Sequence, residues 1–393
     1  MSGPDVGIVG AGLGGLTLAL ALARLGLRPT VYEAAPALGE VGAGITISPN
    51  AGRVLDWLGV GEGVRRLGVQ PHTQRIQHWQ TGELLREMER GAALEERYQA
   101  PYRHLHRADL HALLAGALEA AAPGAVRLGA TATGAGPDGT IRFADGAAAR
   151  HDVVVGADGV KSAVRGALFG QDRPVFTGQV AWRGLVARDA VPAPHRDALP
   201  GIHIGPRRLF LRYPVRAGTL INYAAFVELE GWEEESWTIP SSPAELLWHF
   251  EGCDPLIAAV VGATPEGRLF KWALHAREPL PTWIAGRVTL LGDAAHAMLP
   301  FLGQGAATAI EDGMVLARCL AAFAPEAALA RYEAIRRERC AMVQLQSRLM
   351  GLQFQGKDPA SLGRGPLRNE EALGLFDYDA VRLPLDEPVP VGS

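Results

Sequence analysis

Val6-Gly7-Ile8-Val9-Gly10-Ala11-Gly12-Leu13-Gly14-Gly15 is a short apolar strand that runs straight into a glycine-rich turn. The apolar-periodic stretch Leu16–Leu25 that follows reads as a helix, with Gly26 at its C-terminus. Gly10 permits the tight turn, Gly12 lets the backbone approach phosphate oxygens, and Gly15 lets the helix pack close to the sheet. The helix N-terminus adds unpaired N–H groups and a partial positive charge. A second strand ends at Glu33, roughly twenty residues on, where a carboxylate can accept hydrogen bonds from both ribose hydroxyls. The same residues could form an ordinary strand–helix turn with a solvated acid at a strand end. The intact strand–turn–helix–strand context favours a pyrophosphate site.

A second glycine turn lies near the other end of the chain. Gly292-Asp293-Ala294-Ala295-His296 follows the apolar run Val288–Leu291 and leads into Gly303-Gln304-Gly305. Two such loops fit one extended cofactor, held at its nucleotide end and at its reactive end. That points to FAD.

Length and composition set the frame. The chain has 393 residues, of which 48% are hydrophobic, enough for a large core. A net charge of −4 gives no reason to expect nucleic acid or an anionic membrane as partner. Cys253, Cys319 and Cys340 are widely spaced, so no disulfide framework or metal site is expected, and a reducing compartment fits. The N-terminus lacks a basic n-region, and no apolar run is long enough to span a bilayer. The expectation is a soluble cytoplasmic protein.

The element order predicts an α/β fold. Residues 1–173 read as the first part of a Rossmann-like domain, in which Gly42–Asn50 forms a turn, a short strand and a helix start. His106–Ala122 has helical spacing, while Thr140–Phe143 and Asp152–Ala157 read as strands. Residues 174–275 carry more aromatics and alternating runs such as Leu209–Tyr213 and Leu220–Val227, as in an inserted, mostly β substrate domain. Residues 276–355 return to the first domain and end in helices over Gly305–Ala322 and Glu326–Met350. Residues 356–393 read as a loosely structured tail over the surface.

With Gly10–Gly15, Gly156–Arg165 and Gly292–Gly305 in this order, the chain resembles the single-component FAD-dependent aromatic hydroxylases. The branch is that of salicylate hydroxylase, 3-hydroxybenzoate 6-hydroxylase and 6-hydroxynicotinate 3-monooxygenase. The resemblance extends through Ser48-Pro49-Asn50, His106–Leu110, Val180–Gly184 and Pro279–Trp283. It implies FAD, NADH or NADPH as electron donor, O2, and a small hydroxylated aromatic or heteroaromatic substrate attacked by a flavin hydroperoxide. It also implies a monomer or homodimer. A purine-type substrate and a flavin reductase without oxygen transfer are the alternatives.

The resemblance places Arg107 at the cofactor phosphates and Asp293 at the ribityl chain. The helix start Gly303-Gln304-Gly305 would face the pyrimidine edge of the flavin, where its positive end suits charge on the reduced ring. Asp158 belongs to the family's second fingerprint, although a plain turn or N-cap role is open to it. Leu13, Gly14, Ala34, Gly44, Ile45, Ala132, Gly292, Pro300 and Ala306 complete the FAD contacts it implies.

On the substrate side, Tyr213 stands where relatives carry a substrate-facing tyrosine, as a hydrogen-bonding partner for the substrate hydroxyl. Period-two alternation puts Leu209, Leu211 and Tyr213 on one face of their strand and Arg208 and Arg212 on the other. Thr46, Arg183, Leu209, Leu211 and Pro300 are candidate substrate contacts, with Arg183 a possible clamp for a carboxylate. Relatives carry histidines where this chain has Leu209 and Thr46, so their activation chemistry does not transfer. His203 and His296 are the nearest substitutes by sequence, and a structural role is open to both.

Overall fold

Val6, Ile8 and Val9 gain most by leaving water, and their strand, Asp5–Val9, runs up the middle of a six-stranded sheet. Arg28–Tyr32 pairs parallel on one side of it and Val153–Gly156 on the other. Val288–Leu290 lies parallel beyond Val153–Gly156, which makes the parallel frame of the expected Rossmann-like domain. The computed structural model describes residues 3–39, 43–170, 174–197, 200–229, 239–364 and 367–386. Gly42 of the expected turn, residues 171–173 at the expected domain boundary and residues 387–393 of the tail lie outside the described residues.

The first helix spans Leu13–Arg24, and ten of its residues are buried, so it is a core helix rather than a surface one. It packs against the long helix Gly305–Ala322 at very close range. A Cβ at Gly313 would sit 2.9 Å from the Leu18 backbone nitrogen. The long helix Pro325–Phe354 covers Gly305–Ala322 from outside and carries buried Arg336 to two acids, Glu311 and Asp312. No helix among the described residues is long and apolar enough to cross a membrane.

The second sheet has eight strands, ordered Ile239–Ser241, Leu269–Ala276, Val175–Ala187, Leu220–Glu228, Arg208–Val215, Gly201–Gly205, Thr73–His78 and Leu84–Glu89. Its last two strands come from upstream of the expected insertion. Thr73–His78 pairs parallel with Gly201–Gly205. The β layer is therefore larger than residues 174–275, a correction that alternation alone could not supply because pairing partners are not local. One face packs Trp182, Phe210 and Tyr223 under the helices Pro243–His249 and Pro255–Gly262. The other face turns toward the first domain.

The tail also differs from expectation. Residues 367–386 are irregular but not loose: Leu375 and Phe376 are fully buried, and Tyr378, Ala380 and Leu383 join the main core. Arg53 donates to the carbonyls of Phe376 and Tyr378, and Arg318 to those of Ala380 and Leu383. Side-chain guanidinium groups thus do the pairing that a helix or sheet would do, which leaves no periodic signature in the sequence.

Two predictions follow from this packing. Phe376→Ala should cost about 3–5 kcal/mol of stability, read as a lowered thermal midpoint, where a loose tail would show no change. Burial opposes ionisation of Asp312, yet His296 and Arg336 hold its carboxyl well below the ordinary carboxylate range. The unfolded chain therefore binds the proton first, so Asp312 stabilises above about pH 4 and loses that contribution as pH falls further. Asp312→Asn should be destabilised at neutral pH in urea melts, and its deficit against the wild type should shrink in acid.

Candidate active site

The two glycine turns meet across one cavity of about 390 Å³. Gly12, Leu13 and Gly14 line it from the first turn, and Gly292, Asp293, Pro300, Gly303, Gly305 and Ala306 from the second. Gly44, Ile45, Thr46 and Arg107 form a third wall, while Arg183, Leu211 and Tyr213 reach it from the large sheet. Residues from both domains are thus gathered on one space.

The geometry of the first turn matches what a pyrophosphate requires. Gly10 has φ of +107°, and a Cβ there would lie 2.4 Å from the Ala157 carbonyl oxygen. A Cβ at Gly15 would lie 2.1 Å from the Gly10 carbonyl oxygen, so this position holds the helix against the turn. At Gly12 an added Cβ would meet nothing within 4 Å, and no side chain caps the helix that starts there. Open space in front of uncapped N–H groups is a fit for phosphate. Neither this helix nor Gly305–Ala322 has an acid in its own first turn, and both positive ends face the cavity.

Glu33 is held against the same turn. Its Oε2 accepts from the Ala11 N–H at 2.8 Å and its Oε1 from the Ala35 N–H at 2.9 Å, with Ala34 between. The strand Ala132–Gly136 begins two residues after Ala130, whose N–H donates to the Glu33 carbonyl at 2.8 Å. Glu33 and Ala34 therefore lie against the first turn, outside the cavity lining, and Ala130 ties the start of the Ala132 strand to Glu33. The residues present fit FAD: Gly12 could take the phosphates, Glu33 the ribose, and the side of the cavity with Asp293 and Gly305 the reactive end.

Three expected contacts are directed elsewhere. Asp158 accepts from Ser162 Oγ at 2.5 Å and from the Val164 N–H at 3.1 Å, so its carboxylate caps the helix Ala163–Phe169. Ala157 and Gly159 line the cavity in its place. Gln304 is buried; its amide nitrogen donates to Ser48 Oγ at 3.1 Å and its carbonyl accepts from Asn50 at 3.2 Å. Leu209 shares the face of Leu211 and Tyr213, but it is packed in the core with Ile204 and Phe226. Its cross-strand partner Phe226 lines the cavity, whereas Leu209 itself does not.

The substrate end is polar on one side and apolar on the other. Tyr213 lies flat on His104, with ring centroids 4.3 Å apart and 18° between planes. Burial raises the Tyr213 hydroxyl well above its ordinary value, so the group is neutral and a hydrogen-bond donor. Arg183 lies over Trp272 at 4.6 Å, and no carboxylate pairs with it among the described residues. Burial and Arg107 lower its pKa while Tyr213 works the other way, and a guanidinium remains charged throughout.

Sequence reading missed Asn222, Trp272, Phe226 and His104. Asn222 Oδ1 accepts from the Gly44 N–H at 2.7 Å and so clips the first domain to the large sheet inside the cavity. Alternation along Leu220–Glu228 puts Asn222, Ala224 and Phe226 on one face, a signal that was available. His104 had none. His203 and His296 lie off the cavity, bonded to Asp254 at 2.9 Å and to Asp312 at 2.6 Å, in the structural role left open for them.

Residues 4–347 match the family described as FAD binding domain. The chain belongs to the FAD-dependent aromatic hydroxylases. It is 41% identical to a 3-amino-4-hydroxybenzoate 2-monooxygenase of Streptomyces platensis, over 99% of this chain and 98% of that one. It is 36% identical to a 6-hydroxynicotinate 3-monooxygenase of Pseudomonas fluorescens, over 98% and 97% of the two chains. Among solved structures, HpxO of Klebsiella pneumoniae complexed with FAD and uric acid superposes with TM-score 0.82 at 28% identity, covering 95% and 96%. A salicylate hydroxylase substrate complex superposes equally well, with TM-score 0.82 at 28% identity and full coverage of both chains. This chain is therefore an FAD-dependent monooxygenase.

Two glycines of the first turn, Gly12 and Gly15, separate folding from cofactor binding. Gly12→Ala should leave the apoprotein's thermal midpoint unchanged while weakening FAD retention about tenfold, since its Cβ occupies only ligand space. Gly15→Ala should lower the midpoint of the apoprotein itself. Scanning fluorimetry with and without added FAD reads both.

Proposed function

We propose that this monooxygenase uses NAD(P)H and O2 to hydroxylate a small aromatic or heteroaromatic ring that carries both a hydroxyl and a carboxylate. The observation that carries the reading is Arg183: a cation standing in the cavity over Trp272, with no acid partner among the described residues. A planar guanidinium fork suits a carboxylate. The hydroxyls of Tyr213 and Thr46 line the same cavity and suit the ring hydroxyl of the substrate. The Streptomyces and Pseudomonas relatives are named for a hydroxybenzoate and a hydroxynicotinate, which supports the same pairing of groups.

Bound FAD supplies the relay of electrons from NAD(P)H and the activation of O2. The chain does the rest by placement. The positive helix ends at Gly12 and Gly305 hold the phosphates and favour negative charge at the reactive end. Leu211, Phe226, Trp272 and Met298 wall the ring in apolar surface and keep water from it. Tyr213, kept neutral, donates to the ring oxygen and so favours its ionised form, with the proton lost to solvent water, and in that form the carbon to be attacked is electron-rich. The three cysteines are all unpaired, which supports a reducing, cytoplasmic setting.

Hydroxybenzoates, hydroxynicotinates, the same rings without the carboxylate, and purines form the decisive panel. Stimulated NAD(P)H oxidation, matched by oxygen incorporation into the ring, is expected only where hydroxyl and carboxylate occur together. Arg183→Gln should raise KM for the acids about tenfold to a hundredfold, with kcat and flavin content little changed. Tyr213→Phe should lower kcat about tenfold or more while retaining FAD. Equal use of acids and their decarboxylated analogues by the wild type would remove the clamp from the account.

A further inference from the structure

Behind Tyr213 the cavity has an annex of about 80 Å³, bordered by Thr46, Tyr102, His104 and, from the tail, Asn369 and Glu370. His104 is 1% exposed, and its two ring nitrogens are placed unequally. Nδ1 lies 3.3 Å from Thr46 Oγ1, whereas Nε2 is buried with no hydrogen-bond partner. The ring is pinned on both sides. Tyr213 stacks on one face, and Tyr102 meets it edge-on with centroids 5.5 Å apart.

The charges around it fix its protonation. Buried Arg90 lies over the Tyr102 ring at 4.6 Å and pairs with Glu370 at 3.2 Å. Burial first, and Arg90 second, push the His104 imidazole down to about 3, so it is neutral wherever the enzyme works. A neutral ring carries one N–H. An orphaned buried donor is costlier than an orphaned acceptor, so the hydrogen belongs on Nδ1, where Thr46 Oγ1 accepts it. Thr46 and Tyr213 both face the main cavity; His104 touches them from outside it.

We propose that His104 is a positioning residue: by donating to Thr46 Oγ1, which the Tyr102 hydroxyl also approaches, it leaves the threonine proton free to turn to the substrate hydroxyl, and by stacking on the Tyr213 ring it holds that side chain at the cavity wall. Two neutral O–H donors then converge on one ring oxygen. They stabilise its anionic form, with the proton released to solvent water, and the ring reaches the oxygen-transfer step already electron-rich. Since the imidazole stays neutral, it takes no proton itself. The inference rests on the reading of the substrate as a ring hydroxy-acid.

The test uses FAD-loaded enzyme and 4-hydroxy-3-nitrobenzoate, whose coloured anion reports ionisation, titrated with pH by difference spectroscopy. Wild type should lower the pKa of the bound phenol below that of the free compound. His104→Phe keeps the stack and removes the donor; it should raise the bound pKa by about one unit, a tenfold change in ionisation, and lower kcat more than KM. His104→Asn, with an amide N–H near the Nδ1 position, should restore much of the shift. Thr46→Val should reproduce the His104→Phe shift, and the double variant should add nothing to it. Should His104→Phe or the double variant fail to fold, the Thr46→Val and His104→Asn pair still decides. An unchanged bound pKa in His104→Phe, or fully additive shifts in the double variant, overturns the proposal while the wild type remains an active hydroxylase. A wild type that neither binds nor oxidises any ring hydroxy-acid overturns the parent reading, and this one with it.

Discussion

The site depends on two helices lying closer together than side chains permit. Leu13–Arg24 and Gly305–Ala322 touch where Gly313 faces the Leu18 backbone and where Gly14 faces Leu291 and Ala309. Any side chain at Gly313 would push against main chain, which cannot yield as a rotamer can. This contact brings two helix N-termini, far apart in sequence, to one cavity. Their positive ends, with no acid in either first turn, make a site for an extended anion before any charged side chain is counted.

Around that contact the protein places its buried charges in support of the second turn. Asp312 Oδ2 accepts from the Gly292 N–H at 3.1 Å and from His296, while Oδ1 takes Arg336 Nε at 2.7 Å. Glu311 ties the same arginine to Asn50, and Asn50 to Gln304. One connected network thus fixes the Gly292 turn, the start of the Gly305 helix and the Ser48–Asn50 segment. Each carboxylate is saturated with donors, the condition under which buried charge is tolerable. The substrate wall is held differently, by sheet register and by the Gly44–Asn222 clip, and its polar groups are left facing the cavity.

Much of this was legible in the residues. The turn glycines and the helix beginning beside them carry local constraints: φ of +107° at Gly10, close approach at Gly15, open space at Gly12. The parity of Leu209, Leu211 and Tyr213 held as well, since alternation is a property of the strand itself. Which side chains of that face reach the cavity was not legible, and Leu209 does not line it. The tail hid its packing because arginines at 53 and 318 from distant elements, rather than neighbours in sequence, satisfy its carbonyls.

By itself, then, the sequence determined the cofactor class and the architecture that receives it, because backbone dihedrals, helix ends and strand alternation act over a few residues. Tertiary structure alone decided which side chains share a space. Strand Thr73–His78 joining the large sheet, Arg183 standing over Trp272, and His104 lying under Tyr213 all join residues separated by long stretches of chain. Such contacts cost loop-closure entropy that only the whole packed core repays, so no short window of sequence can announce them.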